Sequence, residues 1–302
     1  MFLLHAHEGG EGWFSEIFLQ GFLETLKLIP FLFLTYLLME FIEHRASDKA
    51  NKFMNKAGKF GPAVGGAIGI VPQCGFSAAA SNLYAGRVIT LGTLVAVFLS
   101  ASDEMLPVML SGQVNIGSVL LILLYKAAAA ILVGFAIDLA MRLMHIKADE
   151  INIDEICDND NCHCERGIWY SALHHTLTIS AFVLIMSISL NALIFFIGEE
   201  NLGAIMYGKP FVSHLIAAVF GLIPNCAASV ALATLCKEGL ITVGTMLAGL
   251  FSGAGVGLAV LFRVNKKMKE NLVIVSILVV SGVVFGLIGD LIFPSGILAA
   301  VQ

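Results

Sequence analysis

Eight apolar stretches, each long enough to cross a hydrocarbon core as a helix, alternate with short polar ones. They run Glu16 to Ile42, Pro62 to Asn82, Val88 to Leu110, Ile116 to Met144, Ile168 to Ile197, Phe211 to Leu235, Leu240 to Phe262 and Leu272 to Phe293. The pattern predicts an all-α, polytopic integral membrane protein with no separate soluble domain. The first stretch follows a segment without Lys or Arg and is too long for a signal-peptide core, so it is expected to be retained as a span.

One stretch is faulted. GIVPQCGFSAAA, from Gly69 to Ala80, carries Pro72, Gln73 and Cys74 at its centre. A proline inside a helix removes a backbone hydrogen bond and clashes with the preceding turn, which is tolerated at membrane depth only where protein or a watery cavity satisfies the freed groups. The same fault returns as GLIPNCAASVAL, Gly221 to Leu232, with Pro224 placed 152 residues after Pro72. That offset pairs Cys74 with Cys226, Ser77 with Ser229, and Ile89, Thr90, Gly92 and Thr93 with Ile241, Thr242, Gly244 and Thr245. It goes on to pair Ser100 with Ser252, and Gly134, Asp138 and Leu139 with Gly286, Asp290 and Leu291. Chance similarity between two oily segments would match Leu and Ala. It would not hold Pro, Cys, Gly, Thr and Asp in one ungapped register, so the chain reads as a duplication.

Charge sets the orientation of the halves. The loop after the first span holds Arg45, Lys49, Lys52, Lys56 and Lys59, whereas its counterpart GEENLGAIMYGKP holds one basic and two acidic residues. Further on the bias reverses: SGQVNIGS is uncharged, and its counterpart RVNKKMKE holds Arg263, Lys266, Lys267 and Lys269. Basic loops mark the cytoplasmic side, so equivalent loops face opposite sides and the repeat is expected to be inverted. Inversion needs an odd number of crossings per half. Pro62 to Gly86 is therefore read as a re-entrant pair of half-helices, leaving each half with three full spans plus a hairpin. The alternative, eight spans in parallel halves, would put one strongly basic loop outside.

Composition agrees with the pattern. Of 302 residues 58% are hydrophobic and 13% charged, with a mean hydropathy of +0.90, outside the range of a soluble domain. No basic stripe with interleaved aromatics is present, which argues against nucleic acid as a partner.

The chemistry-bearing residues gather at the faults. Broken helices leave unpaired N–H and C=O groups near mid-membrane, with Gln73, Cys74 and Ser77, or Asn225, Cys226 and Ser229, beside them. SASDEMLP adds Asp103 and Glu104, flanked by Ser100 and Ser102, and the repeat aligns this pair with Gly255 and Val256, so the charge is unique to one copy. Carboxylates at such depth need a cation or a proton. With amide oxygens they suit Mn²⁺ or Mg²⁺, and the two thiols add affinity for softer ions. The hydrophilic segment joining the halves holds Cys157, Cys162, His163 and Cys164 amid acidic residues, an auxiliary metal-capturing candidate or a plain acidic linker. Glu24 and His175 are candidates for coupling. Lys126 is another, either a counter-ion to the carboxylates or part of an anion path. Asp138 and Asp290, near helix ends, are given a structural role.

In GIVPQCGFSAAA, FLSASDEMLP, GLIPNCAASVAL and the Cys-rich linker, the chain resembles the bacterial and archaeal manganese transporters, also described as ten-helix heavy-metal exporters related to arsenic permeases. The resemblance implies metal efflux and singles out Gln73, Cys74, Asp103, Glu104, Asn225 and Cys226 as site residues. It leaves open manganese, another divalent ion or an arsenic species. Residues 1–144 are then expected to form the first membrane repeat, 145–167 a cytoplasmic linker and 168–302 the second repeat, with both termini outside a cell membrane. A secondary transporter is expected rather than an enzyme. It would have no prosthetic group, the lipid bilayer and the metal ion as partners, protons as a candidate counter-ion and a homodimer as one candidate assembly. The competing expectations are an organoarsenical or anion permease and a membrane thiol enzyme built on Cys74 and Cys226.

Overall fold

The computed structural model describes residues 60–71, 74–101, 105–111, 114–144, 168–197 and 210–293, with positions 19, 22–23, 25–26, 29–30 and 32–37 of the first apolar stretch. Among the described residues there are helices and no strand. The first half contributes α1 (Gly61–Ile68), α2 (Cys74–Ala85), α3 (Leu91–Ser100), α4 (Met105–Ser111) and α5 (Ile116–Leu143). After α6 (Ile168–Ile197), the second half contributes α7 (Pro210–Gly221), α8 (Cys226–Lys237), α9 (Val243–Ser252), α10 (Val256–Val264) and α11 (Met268–Ile292). The bounds of α2 and α3, advanced by 152 residues, are those of α8 and α9.

Packing repeats with the bounds. α3 lies against α5 and α1 against both, just as α9 lies against α11 and α7 against both. The second arm of each broken pair crosses to the other half, α2 onto α10 and α8 onto α4. α3 and α9 form the centre. Every residue from Gly92 to Ser100 and from Val243 to Ser252 is buried.

The direction of each helix follows from its neighbours. Gly61 abuts Thr93, Gly65 abuts Val97 and Gly69 abuts Ser100, so α1 and α3 run side by side in the same direction. The chain must therefore turn back through α2 to begin α3 at the level where α1 began. Gly221 abuts Ser252 in the same way, which gives α7 and α9 the same relation. α5 runs opposite to α3, with Gly134 against Gly92 and Lys126 against Ala101.

Two stretches expected as single helices are each two. Val88 to Leu110 divides into α3 and α4, and Leu240 to Phe262 into α9 and α10. The second division is explained locally: α9 is capped at Gly253, and Gly255, at the start of α10, takes φ 52° and ψ −144°, a conformation disfavoured for residues with a Cβ and incompatible with a continuous helix.

Among the described residues, three runs are long and apolar enough to cross a membrane: Ile116–Leu143, Val243–Val264 and Met268–Ile292. The middle run is interior. The outer two bury one side only and expose Leu120, Leu124, Leu132, Leu139, Leu272, Val280 and Leu291, a surface that water would not tolerate and acyl chains would. This is a membrane protein, all-helical among the described residues. A second, smaller cluster joins Leu32 and Tyr36 of the first apolar stretch to Ala172, Ile179 and Val183 of α6 and to Val256 and Val260 of α10.

Candidate functional site

Helix interruptions meet at one level of the molecule. α1 ends where Gly69 N–H reaches Gly65 O and Val71 N–H reaches Ile68 O, and helix resumes at Cys74. α7 ends likewise, with Leu222 N–H on Val219 O and Ile223 N–H on Phe220 O, before α8 opens at Cys226. Beside these tips α3 and α9 also stop. Ser252 Oγ donates to Ala218 O at 2.6 Å, tying the end of α9 to α7, and Ser100 Oγ donates within its own helix to Ala96 O at 2.8 Å. Each half thus sets two helix C-termini, with their negative dipole ends, side by side.

Lys126 lies between the halves at this level. It is fully buried, and its ammonium donates to Ala101 O at the end of α3 and to Leu250 O in the last turn of α9, the latter at 3.1 Å. It also stands 5.7 Å from the centre of the Phe251 ring. Residue type alone suggests a counter-ion to the carboxylates or part of an anion path for this lysine. The structure adds backbone acceptors from both halves, which residue types cannot announce.

The other expected site residues are placed unevenly. Asn225 and Cys226 are buried at the start of α8, with the Cys226 thiol outside any disulfide. Ser229 is half-buried one turn further on. α8 packs on α4, the helix that follows Asp103 and Glu104 in the sequence. Ser77 is buried against Gly257 of α10, and Ser81 Oγ is 2.7 Å from Gly257 O and 2.9 Å from Ser77 O, one hydroxyl shared between two acceptors. Cys74 opens α2, but its side chain lies outside the described residues, as do Gln73, Asp103, Glu104, Glu24, Cys157, Cys162, His163 and Cys164. Among the described residues no three or more His, Cys, Asp or Glu side chains gather as a metal-holding group.

His175 is buried on α6, away from the breaks. It stacks on Tyr36 with ring centres 5.1 Å apart, and Tyr36 donates to Asn82 Oδ1 at 3.0 Å. Tyr36 and Asn82 were not singled out by the sequence, where nothing distinguishes them from packing residues.

Asp138 and Asp290 build matched clamps. Thr90 caps α3 by accepting from Thr93 N–H, donates to Asp138 Oδ2 at 2.8 Å, and Gly92 N–H donates to Asp138 Oδ1 at 3.0 Å. The copy repeats each bond: Thr242 accepts from Thr245 N–H and donates to Asp290 Oδ2 at 3.0 Å, and Gly244 N–H donates to Asp290 Oδ1 at 2.7 Å. A carboxylate at a helix N-terminus fills the orphan donors and meets the positive dipole end. Only the second clamp has His214 Nε2 beside it, 3.1 Å from Asp290 Oδ2.

The chain matches no family model, and no curated protein and no solved structure matches it.

Proposed function

We propose that the chain is a secondary transporter that moves a divalent metal ion, manganese or another heavy metal, out of the cell by alternating access. The observation that carries this reading is the pair of sequence-matched helix breaks, one with Asn225 and Cys226 buried at its tip, brought level with the ends of α3 and α9 inside a membrane protein. Interrupted helices whose ends converge at depth are the usual construction of an intramembrane substrate site. Gln73, Cys74, Asp103, Glu104, Asn225 and Cys226 would supply the oxygen and thiolate ligands, with Ser77 and Ser229 near them. Metal release from carboxylates can be balanced by proton uptake, which gives the transporter a counter-ion.

An inverted arrangement of two repeats, each with a re-entrant pair, is part of the proposal. The parallel course of α1 and α3 supports the hairpin. Inversion is supported by the Arg87–Glu270 ion pair, 2.9 Å long. Arg87 adjoins Thr90, so the clamp on Asp138 lies at the end of α11 that carries Glu270. Asp290 is about 30 Å of helix away from Glu270, at the opposite end. Arg142, Arg263, Lys266, Lys267 and Lys269 share the Arg87 end, as a cytoplasmic face requires.

The test is flux of a panel of divalent ions in proteoliposomes, with and without a pH gradient, for wild type and Asp103→Asn. Wild type should move at least one ion and Asp103→Asn should lose that flux. An absence of metal-dependent flux in either direction would end the proposal. An anion permease would instead tolerate Asp103→Asn and lose transport with Lys126→Leu. A thiol enzyme would convert substrate without net transport.

A further inference from the structure

We infer that the ammonium of Lys126 fills a monovalent-cation site made of helix-end carbonyls, and that taking the ammonium away opens this site to an alkali ion. Lys126 is about 15 Å along α5 from Ile116, deep in the span. Its Nζ donates to the carbonyls of Ala101 and Leu250. These are not ordinary helix-interior acceptors. Ala101 is the C-cap of α3 and Leu250 lies in the last turn of α9, where carbonyls run out of intrahelical donors and carry the negative end of the dipole.

The two acceptors belong to different halves of the chain, so the cation joins the breaks at the pseudo-symmetric centre. Neutral carbonyls from helix C-termini are the ligand type that holds Na⁺ or K⁺ inside membrane proteins, where they replace the hydration shell. The aromatic face of Phe251 at 5.7 Å suits the same charge. The repeat counterpart of Lys126 is Leu278, which is also fully buried, so one copy alone supplies a positive charge to this point. Burying a lysine at such depth is costly unless its charge meets acceptors that need one. Here it meets acceptors that would otherwise call for a free ion. The assignment holds whatever the chain carries.

The experiment compares thermal unfolding of the detergent-purified full chain in sodium, potassium and choline chloride at one ionic strength. Lys126→Met removes the charge while keeping bulk. Its Tm should rise saturably in sodium or potassium, beyond any wild-type response, by roughly 5 °C at a concentration about a hundredfold above the dissociation constant. Lys126→Arg retains a cation and should respond as wild type does. Recovery of Lys126→Met only when an alkali salt is present would also support the inference. The same Tm for Lys126→Met in all three salts would overturn it. If the variant is recovered from none of them, Lys126→Leu/Leu278→Lys decides. Recovery of a folded, salt-indifferent protein supports a site that needs one charge from either copy, and failure to recover it counts against the inference.

Discussion

Arg87 and Glu270 are joined by two bonds from one guanidinium nitrogen, 3.2 Å to Oε1 and 2.9 Å to Oε2, although 183 residues separate them in the chain. Tyr84 OH reaches the same carboxylate at 3.2 Å and Lys267 stands 3.7 Å from it. The turn that follows α2 is thereby fastened to the first turn of α11. Arg87 holds φ at 59°, as Gly239, its counterpart, holds 74°, so the backbone of the turn is conserved between the copies while the ion pair occurs in one.

This asymmetry makes the pair a latch on one face. The side chains of Arg87 and Glu270 are 13% and 33% exposed, so screening limits the bond to about 1 kcal/mol. Arg87→Ala and Glu270→Ala should each lower Tm, and the double variant should fall short of their sum in a double-mutant cycle. Labelling of the buried Cys226 by a maleimide, with Cys74 and the other thiols replaced, should quicken several-fold in either single variant as the latched state is depopulated. Unchanged labelling together with additive stabilities would show the pair to be ornamental.

The clamps predict matched stability losses. Asp138→Ala and Asp290→Ala each strip a helix N-terminus of a charged acceptor and should cost about 2 kcal/mol, while the Asn variants should recover part of it. Thermal or denaturant unfolding of the four proteins checks this. A neutral outcome for Asp138→Ala would contradict the clamp, since that side chain is nearly buried.

Two glycine substitutions separate crowding from conformation. A methyl on Gly92 or Gly244 would press into the carbonyl of Gly134 or Gly286, and backbone cannot swing aside. Gly92→Ala and Gly244→Ala should therefore abolish or nearly abolish recovery of folded protein. Gly239 has a φ of 74° with open space around it, so Gly239→Ala should cost only about 1 kcal/mol. Yields and Tm values compared side by side distinguish the two causes.

Ligand chemistry at the α8 tip can be read from selectivity. If Cys226 coordinates the transported ion, Cys226→Ser should weaken Zn²⁺ or Cd²⁺ relative to Mn²⁺ by about tenfold or more, because only the softer ions gain from a thiolate. Equal changes for all ions in a competition assay would leave Cys226 a packing residue.

Much of the fold was legible because the repeat was written in residues that resist drift. Thr90 and Thr242, Gly92 and Gly244, and Asp138 and Asp290 each do backbone work that few other residues can do. The breaks after α1 and α7 were expected from Pro72 and Pro224 in the sequence. The interruption between α9 and α10 was not, because hydropathy continues through Gly253, Ala254 and Gly255 and no proline marks it. The acceptors of Lys126 were also invisible, since Ala101 and Leu250 offer only main-chain oxygen and every residue has one. Tyr36, Asn82 and the Arg87–Glu270 pair depend on distant segments meeting, which no local pattern records.

The duplicated clamps give the molecule an internal reference. A substitution in Asp138 can be judged against the same substitution in Asp290, on the same helix register, with the same threonine and the same glycine amide, in one folded chain. Whatever differs between the two outcomes then belongs to surroundings rather than to the bonds themselves, and the nearest such difference is His214.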